Sequence, residues 1–141
     1  MKKVLIALLL IFSISVSAQT VIHTSSSRMG KWDALSEHYN YTDWSNSDIT
    51  FTANSTGVTA TDYTGSVYVF TTKKTTKTGV LADKKTKFTT YSWECYDEKY
   101  KDCSFNIIYY SDGGGKISVF YDHSNIVYNY TIDNSANNNY N

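Results

Sequence analysis

From residue 49 onward apolar and polar positions alternate with a period of two, the pattern of half-buried β-strands. It predicts seven strands, at residues 49–53, 58–60, 66–71, 89–95, 103–110, 116–121 and 126–132. Thr, Tyr, Val, Ile and Phe fill these runs, residues that suit a pleated surface with one face buried. Turn-forming clusters divide them, among them Asn54-Ser55-Thr56-Gly57, Asp112-Gly113-Gly114 and Asp122-His123-Ser124-Asn125. Helical spacing is confined to residues 31–39, where Trp32, Leu35 and Tyr39 share one face of a short candidate. The fold class is therefore all-β: an antiparallel meander of about seven strands forming a curved sheet or a small barrel or sandwich.

Register follows from the same alternation, because a one-residue slip moves every side chain to the other face. Placing Cys95 opposite Cys103 sets Trp93 against Phe105 and Tyr91 against Ile107 on an apolar face. Glu94 then meets Ser104, and Ser92 meets Asn106, on a polar one. A three-residue loop at Asp112-Gly113-Gly114 pairs Tyr109 with Ile117 and Ile107 with Val119. A four-residue loop at 122–125 pairs Tyr121 with Ile126 and Val119 with Tyr128. One apolar face runs through four strands, so Tyr91, Tyr109, Tyr121, Tyr128 and Tyr130 read as core.

The start of the chain has a different pattern. Lys2 and Lys3 precede an apolar run to Ile14, and Val16-Ser17-Ala18 supplies small residues, the layout of a secretory signal peptide cleaved before Gln19. The apolar run is short for a membrane span, and no later segment replaces it. The expected organisation is a leader at 1–18, one β domain at 19–132, and an Asn-rich, disordered tail at 133–141. The expected location is secreted or periplasmic, in a bacterium. Sequons stand at Asn40, Asn54 and Asn129, the last inside a predicted strand.

Export changes the meaning of the cysteines. Cys95 and Cys103 are the only two, and an even count outside the cytoplasm favours a disulfide. A non-hydrogen-bonded cross-strand pair falls within the Cα range such a bond accepts. Neither Cys-x-x-Cys nor a metal-ligand spacing is present.

The 141 residues carry 13 basic and 13 acidic side chains, a balance that excludes broad phosphate neutralisation and hence a nucleic-acid binder of that kind. The charge is unevenly placed. Lys73, Lys74, Lys77, Lys84, Lys85 and Lys87, with Asp83 as the one acid, give residues 71–87 a charge of +5. Such a loop can meet an anionic surface, a glycan or a protein partner, or can simply guard a strand edge. Tyr96 and Tyr100 fall off the apolar face, where they can stack on sugar rings or enter a partner's pocket. Asp97, Glu98 and Asp102 interleave with Lys99 and Lys101 and match no calcium loop, so they read as a solvated hairpin tip. Asp112-Gly113-Gly114-Gly115 lacks the Gly-Lys-Ser/Thr and helix of a phosphate loop. His23 falls in a frayed N-terminus, His38 follows Glu37, and His123 sits in a loop beside Asp122 and Ser124. Adjacent loop residues cannot converge as nucleophile, base and orienter. No cofactor, metal site or catalytic set is expected.

Gly30-Lys31-Trp32, ahead of an all-β meander, resembles the Gly-x-Trp opening of lipocalin-like domains. The resemblance implies a barrel holding an apolar ligand, with the Trp closing one end. It departs from that family in strand number and in the closing arginine, since Arg28, the only arginine, precedes Trp32. Two functional expectations result. The first is a non-catalytic binding module acting through the lysine loop and exposed tyrosines; the alternative is a carrier of a small apolar ligand.

Overall fold

The computed structural model describes residues 19–61 and 65–133. The expected leader lies outside them, as does the expected tail apart from Asp133. The strands are β1 (Thr20–Asp33), β2 (His38–Tyr41), β3 (Ser45–Ala53), β4 (Gly57–Ala60), β5 (Val67–Phe70), β6 (Thr75–Val80), β7 (Lys87–Asp97), β8 (Asp102–Tyr110), β9 (Gly115–Tyr121) and β10 (Ile126–Ile132). A single 3-10 turn, Asp122–Ser124, is the one helical element among the described residues.

Two of the strands are interrupted, and this reduces ten to eight. β2 and β3 both lie along β1, through Trp32 opposite Tyr39 and Ile22 opposite Phe51. Between them the Met29 amide donates to Thr42 Oγ1 at 3.0 Å, and the Thr42 amide donates to the Met29 carbonyl at 2.8 Å. β5 and β6 both lie along β7, through Phe70 opposite Cys95 and Thr75 opposite Ser92. All pairings are antiparallel, and β10 returns to β1, so the sheet closes as an eight-stranded barrel.

Three elements differ from the sequence expectation. The N-terminal segment is not frayed but forms β1, the longest strand at 14 residues, with His23 Nδ1 3.0 Å from Thr50 Oγ1. A bulge between Thr24 and Ser26 changes its parity midway, which erases the period-two signal. Residues 31–39 are a hairpin end instead of a helix. Asp33 Oδ1 accepts from the Leu35 amide, Oδ2 accepts from the Ser36 hydroxyl, and Glu37 adopts φ 53°. Trp32 and Tyr39, which a helix would place on one face, are cross-strand neighbours with ring centroids 5.2 Å apart. β6, a Thr-Lys run, adds the third.

The β7–β8 register is as expected across all five named pairs, and Tyr121–Ile126 and Val119–Tyr128 also pair as expected. The β8–β9 register is shifted by two: Tyr109 opposes Gly115 and Ile107 opposes Ile117. The loop is Ser111-Asp112-Gly113, closed by the Tyr110 amide on the Gly114 carbonyl, with Gly113 at φ 94°. Gly113 supplies the left-handed residue at the third loop position, and Asp112 Oδ1 accepts from the Gly114 amide. A shift of two preserves the inward face, so alternation alone cannot detect it.

Inside the barrel, Phe105 is fully buried and touches the rings of Phe51, Tyr68, Phe70 and Trp93. Ile22, Val58, Ile107, Ile117, Val119 and Ile132 complete this core. On the outer side, Ser92 donates to Asn106 Oδ1, Asn106 Nδ2 to the Ser118 carbonyl, and Ser118 to Asn129 Oδ1. This polar row crosses four strands and buries the sequon residue Asn129. Across these four strands the inner face is apolar and this outer row is polar. No helix among the described residues is long and apolar enough to cross a membrane.

Candidate functional site: a tyrosine cup at one end of the barrel

The aromatic core fills the middle of the barrel, and space opens above it at one end. A cavity of about 1330 Å³ is lined there by Tyr68, Tyr121, Tyr128, Tyr130 and the surrounding loops. The strands reach it in a way fixed by their direction. β3 and β5 begin at the cup, β7 and β9 end there, and the tips at 98–101 and 122–125 form part of its rim.

Asp97 organises the floor. It continues the inward parity of Tyr91, Trp93 and Cys95, and it is 6% exposed. Its Oδ1 accepts from the Lys99 and Lys101 amides, each at 2.9 Å, and its Oδ2 accepts from the Tyr121 hydroxyl at 3.1 Å. Reading Asp97 with Glu98 and Asp102 as one solvated tip is therefore wrong for Asp97. The inward alternation of β7, carried one step further, was the signal that could have found it. Burial pushes the Tyr68 and Tyr121 phenols well above the ordinary tyrosine range. The negative charge of Asp97 adds to the effect at Tyr121.

Beneath the floor lie Cys95 and Cys103, both buried, with Sγ atoms 3.0 Å apart as free thiols. A disulfide needs about 2.05 Å, so the expected covalent staple is not formed here. The pair also sits differently from expectation. The Asp97 amide bonds the Lys101 carbonyl, so two residues back Cys95 and Cys103 occupy a hydrogen-bonded site, where Cα atoms lie about 5.5 Å apart. That separation still suits a disulfide. Hydrogen bonding to Cys95, then burial, pushes the Cys103 thiol upward.

The residues expected to bind do not form one site. Tyr96 and Tyr100 come together, rings stacked at 5.7 Å and 23°, and Tyr100 is 83% exposed on the cup rim. All six lysines are exposed, but elsewhere. Lys84 and Lys85 cap the β6–β7 hairpin and Lys87 begins β7, about 33 Å of strand away from Asp97. Lys77 lies on β6, while Lys73 and Lys74 precede it, Lys74 Nζ standing 5.0 Å from the Tyr91 ring centroid. The Gly-x-Trp resemblance also fails in its structural implication. Gly30 and Trp32 share the outward side of β1, where Tyr41 packs over Gly30 and Trp32 stays 37% exposed against Tyr39. Trp32 closes nothing.

Sequence reasoning also passed over Arg28 and Ser47. The Arg28 guanidinium lies over two rings, 3.9 Å from the Tyr41 centroid and 4.5 Å from that of Trp44, on the outward side of β1 that Gly30 shares. Among the described residues, no group of three or more His, Cys, Asp or Glu is placed to hold a metal ion. Comparison with protein-family models, with curated proteins and with solved structures finds no match to this chain.

Proposed function

We propose that this chain is an exported, non-catalytic binding protein that takes a saccharide into the tyrosine cup. The observation that carries the reading is the cup itself, open space of about 1330 Å³ above a filled core, floored by phenols around one buried carboxylate. Its lining is rich in hydroxyl and amide groups from Ser27, Thr42, Asn46, Thr61 and Ser124, alongside tyrosine rings. A ligand that matches both must offer many hydrogen-bonding groups and apolar C–H faces, as a sugar ring does. Stacked Tyr96 and Tyr100 extend that surface at the rim.

Asp97 supports binding over catalysis. Its three acceptor positions are taken by two amides and a phenol, so it shapes the floor instead of exchanging protons with a substrate. The alternative, a carrier of an apolar ligand, needs an empty apolar interior, whereas Phe51, Phe105, Phe70 and Trp93 occupy that volume. Export by residues 1–18 belongs to the same proposal, with oxidation of the Cys95–Cys103 pair following from it.

The test is a panel of oligosaccharides titrated against the mature chain by calorimetry. Binding is expected to fall at least tenfold in Tyr128→Ala and to persist when all six lysines of residues 73–87 become glutamine. Loss of binding only in the lysine variant would move the site to the other end of the barrel. No binding by any saccharide would end the reading.

A further inference from the structure

Six lysines and two exposed aliphatic side chains share the end of the barrel opposite the cup. Lys73, Lys74, Lys77, Lys84, Lys85 and Lys87 are all exposed, and none forms an ion pair among the described residues. The acids of the β6–β7 and β8–β9 turns, Asp83 and Asp112, are held by their own turns. Asp83 accepts from the Lys85 and Thr86 amides and the Thr86 hydroxyl, and Asp112 accepts from the Gly114 amide. The lysines therefore leave a clear excess of positive charge at this end.

The β6–β7 tip carries more than charge. Val80 is 54% exposed and Leu81 39%, at the point where β6 turns back. Val80 lies directly opposite Lys87, so an apolar and a cationic side chain share one face of the hairpin end. Lysines alone guard a strand end from wrong pairing, whereas bare Val and Leu beside them work against that purpose. The backbone of the tip is already satisfied. The Leu81 amide donates to the Thr86 carbonyl and the Lys84 amide to the Leu81 carbonyl, both at 2.9 Å, while the Lys85 and Thr86 amides donate to Asp83. A tip bonded in this way can leave water without stranding these amides.

These features together select an occupant. A soluble acidic polymer matches the lysines but offers nothing to Val80 and Leu81. An uncharged bilayer offers apolar depth but no excess of anions. A lipid surface with anionic headgroups has both, charge at the headgroup level and hydrocarbon just beneath it.

We infer that the β6–β7 tip docks the chain on an anionic lipid surface, with Val80 and Leu81 entering the headgroup boundary and the surrounding lysines meeting lipid phosphates. Docked this way, the barrel stands on its lysine end and holds the cup open to solution. The inference is independent of what the cup binds.

The experiment sediments the chain from Gln19 onward, which lacks the apolar leader, with vesicles of two compositions. Binding to phosphatidylcholine vesicles that contain phosphatidylglycerol is expected to be at least roughly tenfold tighter than to phosphatidylcholine alone, and added salt should weaken it. A lysine at such a surface contributes roughly fivefold, so Lys84→Gln with Lys85→Gln should cost at least about tenfold. Val80→Ser with Leu81→Ser keeps every charge and should still weaken binding several-fold. Both pairs lie on the surface, outside the core. Equal binding to the two vesicle types, or none to either, would overturn the inference. So would full binding by the Val80→Ser, Leu81→Ser chain, which would leave charge as the whole attraction. Binding to dextran sulfate without binding to the vesicles would also overturn it, and would name a soluble acidic polymer as the partner.

Discussion

β7 carries a hairpin tip at each end, and the two tips use the same device to different effect. At the β6–β7 tip, Asp83 Oδ1 accepts from the Lys85 and Thr86 amides at 2.8 and 2.9 Å. At the β7–β8 tip, Asp97 Oδ1 accepts from the Lys99 and Lys101 amides, both at 2.9 Å. Each tip places one residue in the left-handed region, Lys84 at φ 57° and Tyr100 at φ 58°, and each of these bonds the carbonyl three residues earlier. The difference lies in the second carboxylate oxygen. That of Asp83 takes the Thr86 hydroxyl, within its own turn, whereas that of Asp97 takes Tyr121 from a strand 24 residues away. One aspartate makes a turn; the other ties a turn to the barrel. A local motif becomes part of a site when its last acceptor reaches a distant element in a buried setting.

The largest effect should come from removing that tie. Asp97→Ala strands two amides and the Tyr121 phenol, and should cost about 3 kcal/mol, given 1–3 kcal/mol for a buried group left unpaired. Denaturant unfolding should show this as a clear fall in midpoint, and Asp83→Ala should not. Equal effects at the two tips would break the comparison.

The cysteine pair sharpens it next, because only the β7–β8 hairpin can be cross-linked. Oxidation of Cys95 and Cys103 closes a short loop and should add about 2.5 kcal/mol on the chain-entropy model. Protein exported by a bacterial host should weigh two hydrogens less than its reduced form and unfold at a lower midpoint once reduced. An unchanged midpoint after reduction would remove the staple from the account.

Which parts of this molecule the sequence reveals depends on whether a strand keeps its parity. β7 to β10 alternate without interruption, so their inward faces and most of their pairings are legible. The two-residue slip at Tyr109 escapes because it keeps parity and is decided by where Gly113 can adopt a positive φ. β1 escapes because its bulge at Ser25 switches faces midway, and Ser27 and Met29 reach the cup as a result. The site was harder. Tyr121, Tyr128 and Tyr130 read as core, which they are from below, and only closure of the barrel shows that the same rings floor an open space. Outside the cup, the ring contacts of Arg28 gave no signal either, since Tyr41 and Trp44 are brought to it by the interrupted strand β2–β3.

A smaller test exchanges the left-handed residue at each tip. A non-glycine residue in that region costs roughly 1 kcal/mol relative to glycine. Lys84→Gly should therefore stabilise the chain by up to about 1 kcal/mol, because Lys84 is exposed and gives up little. Tyr100→Gly gains the same relief but loses the stack on Tyr96, worth about 0.5–1.5 kcal/mol, so it should come out near neutral. Thermal unfolding of both variants against the parent decides. If Tyr100→Gly stabilises as much as Lys84→Gly, the Tyr96–Tyr100 stack contributes nothing, and the rim loses its claim to be a preformed surface.

The smallest effect belongs to Asp83 itself and is seen only in acid. The Thr86 hydroxyl, and after it the Lys85 and Thr86 amides, hold its carboxyl below the usual aspartate range. A depressed folded pKa means that its contribution is present above the unfolded value of about 3.9 and is lost as pH falls through the folded value. Because the group is fully exposed, the loss should remain inside the turn. Amide hydrogen exchange should therefore show Lys85 and Thr86 losing protection below about pH 4, with strand β7 beyond them still protected. Asp83→Asn should give the same local loosening at neutral pH without moving the unfolding midpoint. A midpoint that follows this titration would mean that the lysine tip is tied to the barrel as the cup tip is, and the two ends would no longer differ in kind.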